Sequence, residues 1–269
     1  MELSPLPLMP LLFVGHGSEI NLILDNSFTR SLREIAASIP RPRAIAVISP
    51  HWCTPEIRTT SAEFPVQMYD TINFKEELHG IEYAPRGDPS LASRICELLL
   101  AAGFNARTDS SRGLDIATWG VVRYLYPEPT IPVVEISLSY KIDASEMAKA
   151  GKALAPLREE GVLLIGSGNL IHNLSEASIN LDIKPYPWAR ETDRAISELL
   201  THLDAAAFAD FVMQKLRNTP SIPTPEHILP AVAIVGAASP GDRLRYFHES
   251  FQNASISMRS FIIEHEPRT

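Results

Sequence analysis

Four short and largely apolar runs place the strongest constraint on how this chain can fold. They are Leu11–Val14, Ala44–Ser49, Val133–Leu138 and Val162–Ile165. Apolar runs of this length without strict alternation are typical of strands buried on both faces of a sheet, as in α/β proteins. A further run, Ser255–Glu264, alternates well enough to predict a strand near the end of the chain.

Helical patterns separate these runs. Phe28–Ile39 has one apolar face, Asp88-Pro89 begins a helix that Gly103 ends, and Asp143 with Glu146 forms a capping box. Two more helices are predicted at Ala189–Leu200 and Ala205–Leu216. Alternation of strands and helices predicts an α/β sandwich with a central, largely parallel or mixed sheet. Because no linker-like tract divides the 269 residues, we expect one domain over residues 1–269.

Charge and composition exclude several partners. The net charge of −8 and the absence of any Lys/Arg block argue against nucleic acid or an anionic membrane as a partner. No stretch approaches the ~20 apolar residues of a membrane span, and the first residues lack the basic region of a signal peptide. The two cysteines, Cys53 and Cys96, have no metal or redox spacing. We therefore expect a cytoplasmic protein, either a monomer or a homo-oligomer.

Four histidines stand out by their position. His16 in VGHGS, His51 in SPHW and His172 in GSGNLIHN each follow a predicted buried strand, where α/β sheets bind ligands. His227 in PTPEHILP lies in a rigid turn between prolines. A single histidine at such a place is usually a hydrogen-bonded filler, but the shared pattern favours a common site. The remaining four lack this context and are interpreted as structural or solvated: His79, His202, His248 and His265.

Histidine-rich ligation is typical of Zn²⁺, Fe²⁺ or Cu²⁺, and three protein ligands with open positions are typical of a catalytic metal. Three neutral imidazoles leave the +2 charge of the metal ion uncompensated, which favours an anionic bidentate ligand such as a catecholate. A fourth histidine outside the coordination sphere could transfer protons. The chain contains no G-x-S-x-G, HExxH or P-loop motif. The residues by themselves predict a metal-dependent enzyme that acts on a small molecule.

A family resemblance extends this prediction. The segments VGHGS, SPHW, RGLD with a following Trp (Arg112–Trp119), GSGNLIHNL and PTPEHILPAVAIVGAA occur in one order and spacing. This arrangement resembles the DODA-type extradiol ring-cleavage dioxygenases, which are relatives of the catalytic subunit of protocatechuate 4,5-dioxygenase. The resemblance runs from about Leu11 to the end of the chain.

The resemblance implies roles for individual residues. His16, His51 and His227 match the family's metal ligands, and His172 matches its acid/base histidine, whose pKa should lie near neutral. The implied cofactor is Fe²⁺, with Zn²⁺ possible in the isolated protein, and the implied substrates are O₂ and a catecholic or related phenolic small molecule. Four residues are implied to bind the substrate: Tyr69, Ile116, Trp119 and Asn169.

Two segments depart from the family pattern. Of the family's YDFYGFP, the segment Tyr69–Lys75 keeps only Tyr, Asp and Phe, and RGLDHG appears as RGLDIA. Ile116 thus replaces a histidine that is expected to form a hydrogen bond with substrate or oxygen. Two readings of Ile116 stay open, one as a determinant of specificity and one as a residue that packs under Trp119. The change also keeps an alternative function open, a zinc-binding hydrolase or binding protein of the same fold without dioxygenase activity.

Overall fold

The apolar runs of the sequence form the centre of a mixed eight-stranded sheet. A computed structural model describes residues 8–70, 78–216 and 218–265. The strands are β1 (Leu11–Gly15), β2 (Ala44–Thr54), β3 (Ile57–Thr60), β4 (Ala106–Asp109), β5 (Val133–Ser139), β6 (Val162–Gly168), β7 (Asp242–His248), β8 (Phe251–Gln252), β9 (Ile256–Ser257) and β10 (Ser260–His265). The α-helices are α1 (Ser27–Ser38), α2 (Pro89–Ala101), α3 (Ile116–Leu125), α4 (Ala144–Leu154), α5 (Pro187–Leu200), α6 (Ala205–Lys215) and α7 (Leu229–Gly236).

The sheet has the order β4-β3-β5-β2-β6-β1-β10-β7, with β8 and β9 paired separately. The four predicted strands lie side by side and parallel, as β5, β2, β6 and β1. Antiparallel pairing joins β3 to β5 on one side and adds β10 and β7 on the other. The predicted α/β fold with a central mixed sheet is confirmed, and the carboxyl ends of β1, β2 and β6 share one edge.

Helices cover both faces of the sheet because side chains of each strand alternate in direction. Leu11 and Phe13 of β1 belong to a core cluster with residues of α2, α4, α5, α6 and α7, whereas Leu12 and Val14 belong to a second cluster with residues of α1 and α3. The predicted caps are confirmed. Asp88 accepts a hydrogen bond from the Leu91 amide, and Asp143 with Glu146 forms the capping box. No helix in the described ranges is long and apolar enough to cross a bilayer.

Two strand predictions need correction. The run Ser255–Glu264 forms two strands, β9 and β10, since Met258 and Arg259 break the pairing. The strand that begins at Ala44 continues past Ser49 to Thr54, so that His51 lies within β2 instead of after it. The register against β5 shifts between Ser49 and Cys53, where β2 carries extra residues. Such a bulge redirects the side chain of His51 toward the carboxyl edge of the sheet.

Candidate metal centre and substrate cavity

Backbone contacts at the carboxyl edge of the sheet place the predicted ligands. His16 follows β1, and its amide donates to the carbonyl of Gly168 at the end of β6 over 3.0 Å. His227 lies just before α7, and its carbonyl accepts a hydrogen bond from the Asn169 amide over 2.8 Å. The amide of His51 donates to the Ser49 hydroxyl over 3.2 Å. Three separate chain segments are therefore fixed around one point.

Gly168 of the GSGN turn explains why the chain places glycine here. A Cβ at Gly168 would lie 2.2 Å from the carbonyl oxygen of His227, far inside van der Waals contact. At Gly166 a Cβ would lie 2.7 Å from the carbonyl oxygen of Pro230. The glycines therefore make room for the backbone that carries His227 and begins α7.

His16, His51 and His227 form a nearly equilateral triangle. Their ring centroids lie 5.4, 5.5 and 5.6 Å apart, and each ring meets the others edge to face. Each ring offers a nitrogen that lies within 4.8 Å of a nitrogen of the other two. Nitrogens about 2.1 Å from a tetrahedral metal would be ~3.4 Å apart, which this bound admits. The three rings are thus close enough to share one metal ion.

Hydrogen bonds assign the same tautomer to all three rings. Ser167 donates its hydroxyl hydrogen to the carbonyl of Ala117 over 2.7 Å, so it must accept from Nδ1–H of His16 over 2.9 Å. Nδ1 of His51 lies 2.8 Å from Oδ2 of Asp70. These contacts leave the Nε2 lone pairs of His16 and His51 available.

The contacts of His227 assign the same tautomer to its ring. Its Nδ1 lies 3.3 Å from Oε1 of Glu226, whose oxygen also accepts the hydroxyl of Thr224 over 2.6 Å. A carboxylate can only accept, so Nδ1 of His227 carries the hydrogen and its Nε2 keeps a lone pair. Orientation of a histidine ligand by a polar partner on Nδ1 is the usual arrangement in metal sites.

The surroundings of the cluster lower the pKa values of His16 and His227 and raise that of His51. Burial, together with the neighbouring imidazoles, holds the pKa values of His16 and His227 well below their usual range. Burial also acts to lower the pKa of His51, but the hydrogen bond that it donates to Asp70 and the charges of Asp115 and Asp70 outweigh burial and raise that pKa. Neutral imidazoles are the form that binds metal.

His172 lies directly against this triangle. Its ring stacks on that of His227 with 3.5 Å between centroids and an interplanar angle of 13°. Burial lowers the pKa of His172 to about 4, although the charge of Glu226 opposes the shift. The expectation of a pKa near neutral is therefore not met, because the loss of water around the ring outweighs the nearby carboxylate. At pH 7 the ring is neutral and able to accept a proton.

A cavity of about 570 Å³ opens onto all four histidines. One wall is apolar and includes Leu22, Phe28, Ile116 and Val121. Its volume lies within the range of small-molecule sites. The other four histidines lie outside this cluster, as predicted: His79, His202, His248 and His265.

The residues expected to bind substrate separate into two groups. Ile116 lines the cavity, and its amide donates to Oδ1 of Asp70 over 2.8 Å. Tyr69, Trp119 and Asn169 are not among the described residues that line it. The indole of Trp119 donates to the Met68 carbonyl over 2.8 Å, and Tyr69 donates its hydroxyl to the Ile81 carbonyl over 2.8 Å.

Asn169 is buried, and its amide nitrogen donates to the Ser257 carbonyl over 2.9 Å. Together with Trp119 and Tyr69 it holds the backbone around the site. Part of the departing segment, Thr71–Lys75, lies outside the described residues.

Sequence reasoning missed the residues that orient the ligands. Asp70 was visible only as part of a degraded motif, yet its two oxygens join His51 to the start of α3. Ser167 was not singled out by the sequence, yet from its place in β6 it fixes the tautomer of His16. Only three-dimensional contact reveals these two roles, since Asp70 lies 19 positions from His51 and Ser167 lies 151 positions from His16.

Comparison with known proteins agrees with this geometry. Residues 10–261 match the family described as the catalytic LigB subunit of aromatic ring-opening dioxygenase. The chain is 35% identical over 254 residues to a 4,5-DOPA dioxygenase extradiol of Escherichia coli K12, covering 94% of this chain and 93% of that protein. It is 33% identical to a protein of the same name from Beta vulgaris, covering 93% and 94% of the two chains.

The crystal structure of an uncharacterized protein from Escherichia coli K12 superposes with a TM-score of 0.80. That protein is 34% identical in sequence, and the match covers 95% of this chain and all of the other. Sequence, fold and the predicted histidine motifs thus lead to one assignment. The chain belongs to the LigB family of aromatic ring-opening dioxygenases.

Proposed function

We propose that this protein is an Fe²⁺-dependent extradiol dioxygenase that opens the ring of a catecholic or related phenolic small molecule. The observation that carries the proposal is the shared tautomer of His16, His51 and His227, each with Nδ1 engaged and Nε2 free. The donor set fits a divalent metal of the Fe²⁺ or Zn²⁺ type, because it offers three neutral imidazoles in one triangle. When bound by these three histidines, Fe²⁺ would supply the binding of a catechol and the activation of O₂.

His172 supplies the proton chemistry in this proposal. Its neutral ring stacks on His227 and faces the cavity, so it is placed to accept a proton from a substrate hydroxyl. A pKa of about 4 makes it a weak base. An anionic substrate oxygen beside the ring would favour the imidazolium and raise that pKa, so that the ring can hold the proton and return it.

The apolar wall orients the substrate. Leu22, Phe28 and Val121 offer hydrocarbon to a planar ring in the same cavity that the four histidines line. An aromatic ring with two adjacent hydroxyls has the same division between an apolar body and a polar edge. Packing of the ring also excludes water from the side of the cavity opposite the histidines.

The test is anaerobic reconstitution with Fe²⁺ followed by oxygen uptake over a panel of catechols and aminophenols. We expect one Fe²⁺ per chain and oxygen uptake with at least one catechol. His16→Ala, His51→Ala and His227→Ala should each lose most of the metal on dialysis, as measured by elemental analysis, since two imidazoles hold metal far less tightly than three.

His202→Ala is the matched control, because His202 is exposed at the end of α5 and lies outside the cluster. Full metal content in all three cluster variants would overturn the ligand assignment. Stoichiometric metal with no oxygen uptake on any substrate would instead support the alternative, a zinc-binding member of the fold with another activity.

A further inference from the structure

We infer that Asp115, which caps helix α3, is a positioning residue for the metal site, because through Ser49 it fixes the backbone of the ligand His51. The inference rests on the proposed function in one respect, since it takes His51 as a ligand. It does not depend on which substrate the protein accepts. It gives a role to the RGLD segment, Arg112–Asp115, whose charged side chains take no part in the site described above.

The hydroxyl of Ser49 connects Asp115 to His51. Ser49 donates to Oδ2 of Asp115 over 2.7 Å and accepts the amide of His51 over 3.2 Å. A hydroxyl has one hydrogen, so donation to a carboxylate leaves the oxygen lone pairs for the His51 amide. Residues 50–52 form the bulge of β2 and have no partner in the registers of β2 with β5 and β6. The Ser49 hydroxyl therefore holds a backbone amide that the sheet itself leaves unpaired.

The residue after Asp115 reaches the ring of the same ligand. The amide of Ile116 donates to Oδ1 of Asp70 over 2.8 Å, and Oδ2 of Asp70 lies 2.8 Å from Nδ1 of His51. Two consecutive residues at the start of α3 thus hold His51 at its backbone and at its ring. A displacement of this turn would move both.

Four polar contacts fix Asp115 itself. Its carboxylate accepts the Ser49 hydroxyl, the guanidinium of Arg112 over 3.1 Å and the amide of Thr118 over 3.1 Å. Its own amide donates to Oε2 of Glu135 on β5 over 2.8 Å. The side chains of Asp115 and Glu135 are both fully buried. Contacts from two strands and from α3 therefore leave the carboxylate one position.

The charges of this network balance one to one. Burial, together with the charge of Asp115, raises the pKa of Glu135 well above its usual range, so Glu135 is neutral at pH 7. Arg112 is then the cation that pairs with Asp115. Its guanidinium also lies 5.3 Å from the centre of the Trp52 ring, the residue after His51. The RGLD segment thus contacts the bulge on both sides of the ligand.

Asp115→Asn tests the inference with little change in shape. Asparagine caps helices as well as aspartate, so its oxygen can still accept the Thr118 amide. Its amide group then faces the Ser49 hydroxyl and Arg112, which are both donors to the present carboxylate. We expect the dissociation constant of Zn²⁺, measured by competition with a chromophoric chelator, to rise at least about tenfold. The visible absorption bands of bound Co²⁺, which report its coordination geometry, should change as well.

Asp88→Asn is the matched control. Asp88 caps α2 by accepting the Leu91 amide over 2.9 Å, and Arg43 lies 3.7 Å from its carboxylate. The substitution is therefore the same change at a helix cap with an arginine partner, outside the metal centre. Zn²⁺ affinity and the Co²⁺ bands should stay as in the unmodified protein.

A double variant separates positioning from stability. Asp115→Asn leaves Arg112 without its anion, and Arg112→Met in the same chain removes that cation, so the urea midpoint should recover. The weakened Zn²⁺ binding should remain, because the Ser49 hydroxyl still lacks its carboxylate. Recovery of both would overturn the inference, since Asp115 would then only neutralise Arg112.

Ser49→Ala decides the question if Asp115→Asn does not fold. It removes only the connecting hydroxyl and should weaken Zn²⁺ binding by about threefold or more, as expected for one lost hydrogen bond. Unchanged Zn²⁺ affinity in Ser49→Ala, or in a folded Asp115→Asn, would overturn the inference.

Oxygen uptake by the Fe²⁺-loaded protein separates this inference from the proposed function. Catechol cleavage by the unmodified protein, with Zn²⁺ affinity unchanged in Asp115→Asn, would sustain the proposed function and overturn this inference. Weakened Zn²⁺ binding in Asp115→Asn, without cleavage of any catechol by the unmodified protein, would sustain the inference and overturn ring cleavage. Unchanged Zn²⁺ affinity in His51→Ala would overturn both.

Discussion

The two ends of strand β1 both bury charged or titratable side chains, but they treat them in opposite ways. At the amino end, Arg158 and Asp242 form a bidentate pair at 2.6 and 3.3 Å, with side-chain exposures of 1% and 0%. Arg158 also donates to the Met9 carbonyl over 2.8 Å, and Asp242 accepts the Ser239 amide over 2.8 Å. Every charge at this end has a partner within the chain.

At the carboxyl end, the imidazoles of His51, His172 and His227 gather around His16, and no described cation is buried with the carboxylates that orient them. Burial, together with the neighbouring imidazoles, lowers the pKa values of His16 and His227. Partners on Nδ1 fix the orientations of the His16, His51 and His227 rings. The Nε2 lone pairs of these rings have no hydrogen-bond donor among the described residues. The charged groups at the amino end are paired with one another, whereas the free Nε2 lone pairs at the carboxyl end are available to a ligand from outside the chain. Such a contrast separates a structural pair from a binding site.

The largest expected effect tests the role of His172 at the carboxyl end. His172→Gln removes the basic nitrogen and retains a polar side chain, so turnover should fall by roughly 10²–10⁴-fold, the usual contribution of general acid–base catalysis. The metal content should stay unchanged if the metal binds in the triangle of His16, His51 and His227 and not in the second close group, which His172 forms with Glu226 and His227. Oxygen uptake and elemental analysis on the same samples distinguish the outcomes. Metal loss would make His172 a ligand, and wild-type turnover would remove its catalytic role.

The next prediction breaks the pair at the amino end. Arg158→Met leaves the buried carboxylate of Asp242 without its cation and should lower the free energy of unfolding by about 3–5 kcal/mol. Arg158→Met combined with Asp242→Leu should recover most of that loss, because no unpaired charge remains. His16→Gln in the metal-free protein should cost about 1 kcal/mol, since it removes a neutral ring with one hydrogen bond to Ser167 and leaves no unpaired charge. Urea denaturation measures all three, and equal losses at both ends would contradict the comparison.

The two ends should also respond to acid in different pH ranges. His16, His172 and His227 have folded pKa values below the unfolded value of 6.5, so the unfolded chain takes up protons first. Their contribution to stability is complete above pH 6.5 and is lost as the pH falls toward the folded values. His51 has a raised pKa and partly offsets this loss. We expect the metal-free protein to lose stability between pH 7 and pH 5, by up to about 2 kcal/mol for each ring that stays neutral in the folded protein at pH 5.

Asp242 affects the stability of the protein at lower pH than the histidines do. Burial would raise its pKa, but the hydrogen bond from Arg158 outweighs burial and lowers it, so its contribution is lost only as the pH falls below about 3.8. Urea denaturation at a series of pH values should therefore show two separate declines. Bound Zn²⁺ should move the upper decline to lower pH and leave the lower decline in place. A single decline near pH 4 would show that folding does not lower the pKa values of these histidines.

These two ends also show what the sequence can and cannot predict. The central strands and the histidine motifs are local patterns, and both predictions of fold class and of clustering were confirmed by the structure. The α-helix α3 was not predicted because IATWGVV is buried on every side and has no polar face to give a helical period. Strand β7 was not predicted because it lies at the sheet edge and carries the charged residues Arg243 and Arg245.

Contacts between distant parts of the chain account for the rest. The pair Arg158–Asp242 spans 84 positions, and the contact of Gly168 with the His227 carbonyl joins two motifs that the sequence shows as separate. The family resemblance implied that Trp119 and Asn169 bind the substrate. In the fold both are buried behind the cavity wall, because α3 and the turn after β6 pack them inward.

The smallest expected effect concerns Ile116, where the cavity wall departs from the family pattern. Ile116 is buried, lines the cavity and follows Asp115, the cap of α3, so its side chain can change without disturbing the Asp70 contact to its backbone amide. Isoleucine offers no hydrogen bond to a polar group of the substrate, at a cost of about 1–3 kcal/mol for the group left unpaired. Ile116→His should therefore raise cleavage of simple catechols about tenfold, or about 1.4 kcal/mol in the barrier. Ile116→Leu, which keeps the apolar bulk, is the control and should leave the rate within a factor of two. If the unmodified protein already cleaves catechols efficiently and Ile116→His is no faster, Ile116 only packs in the wall and the hydrogen bond comes from another residue.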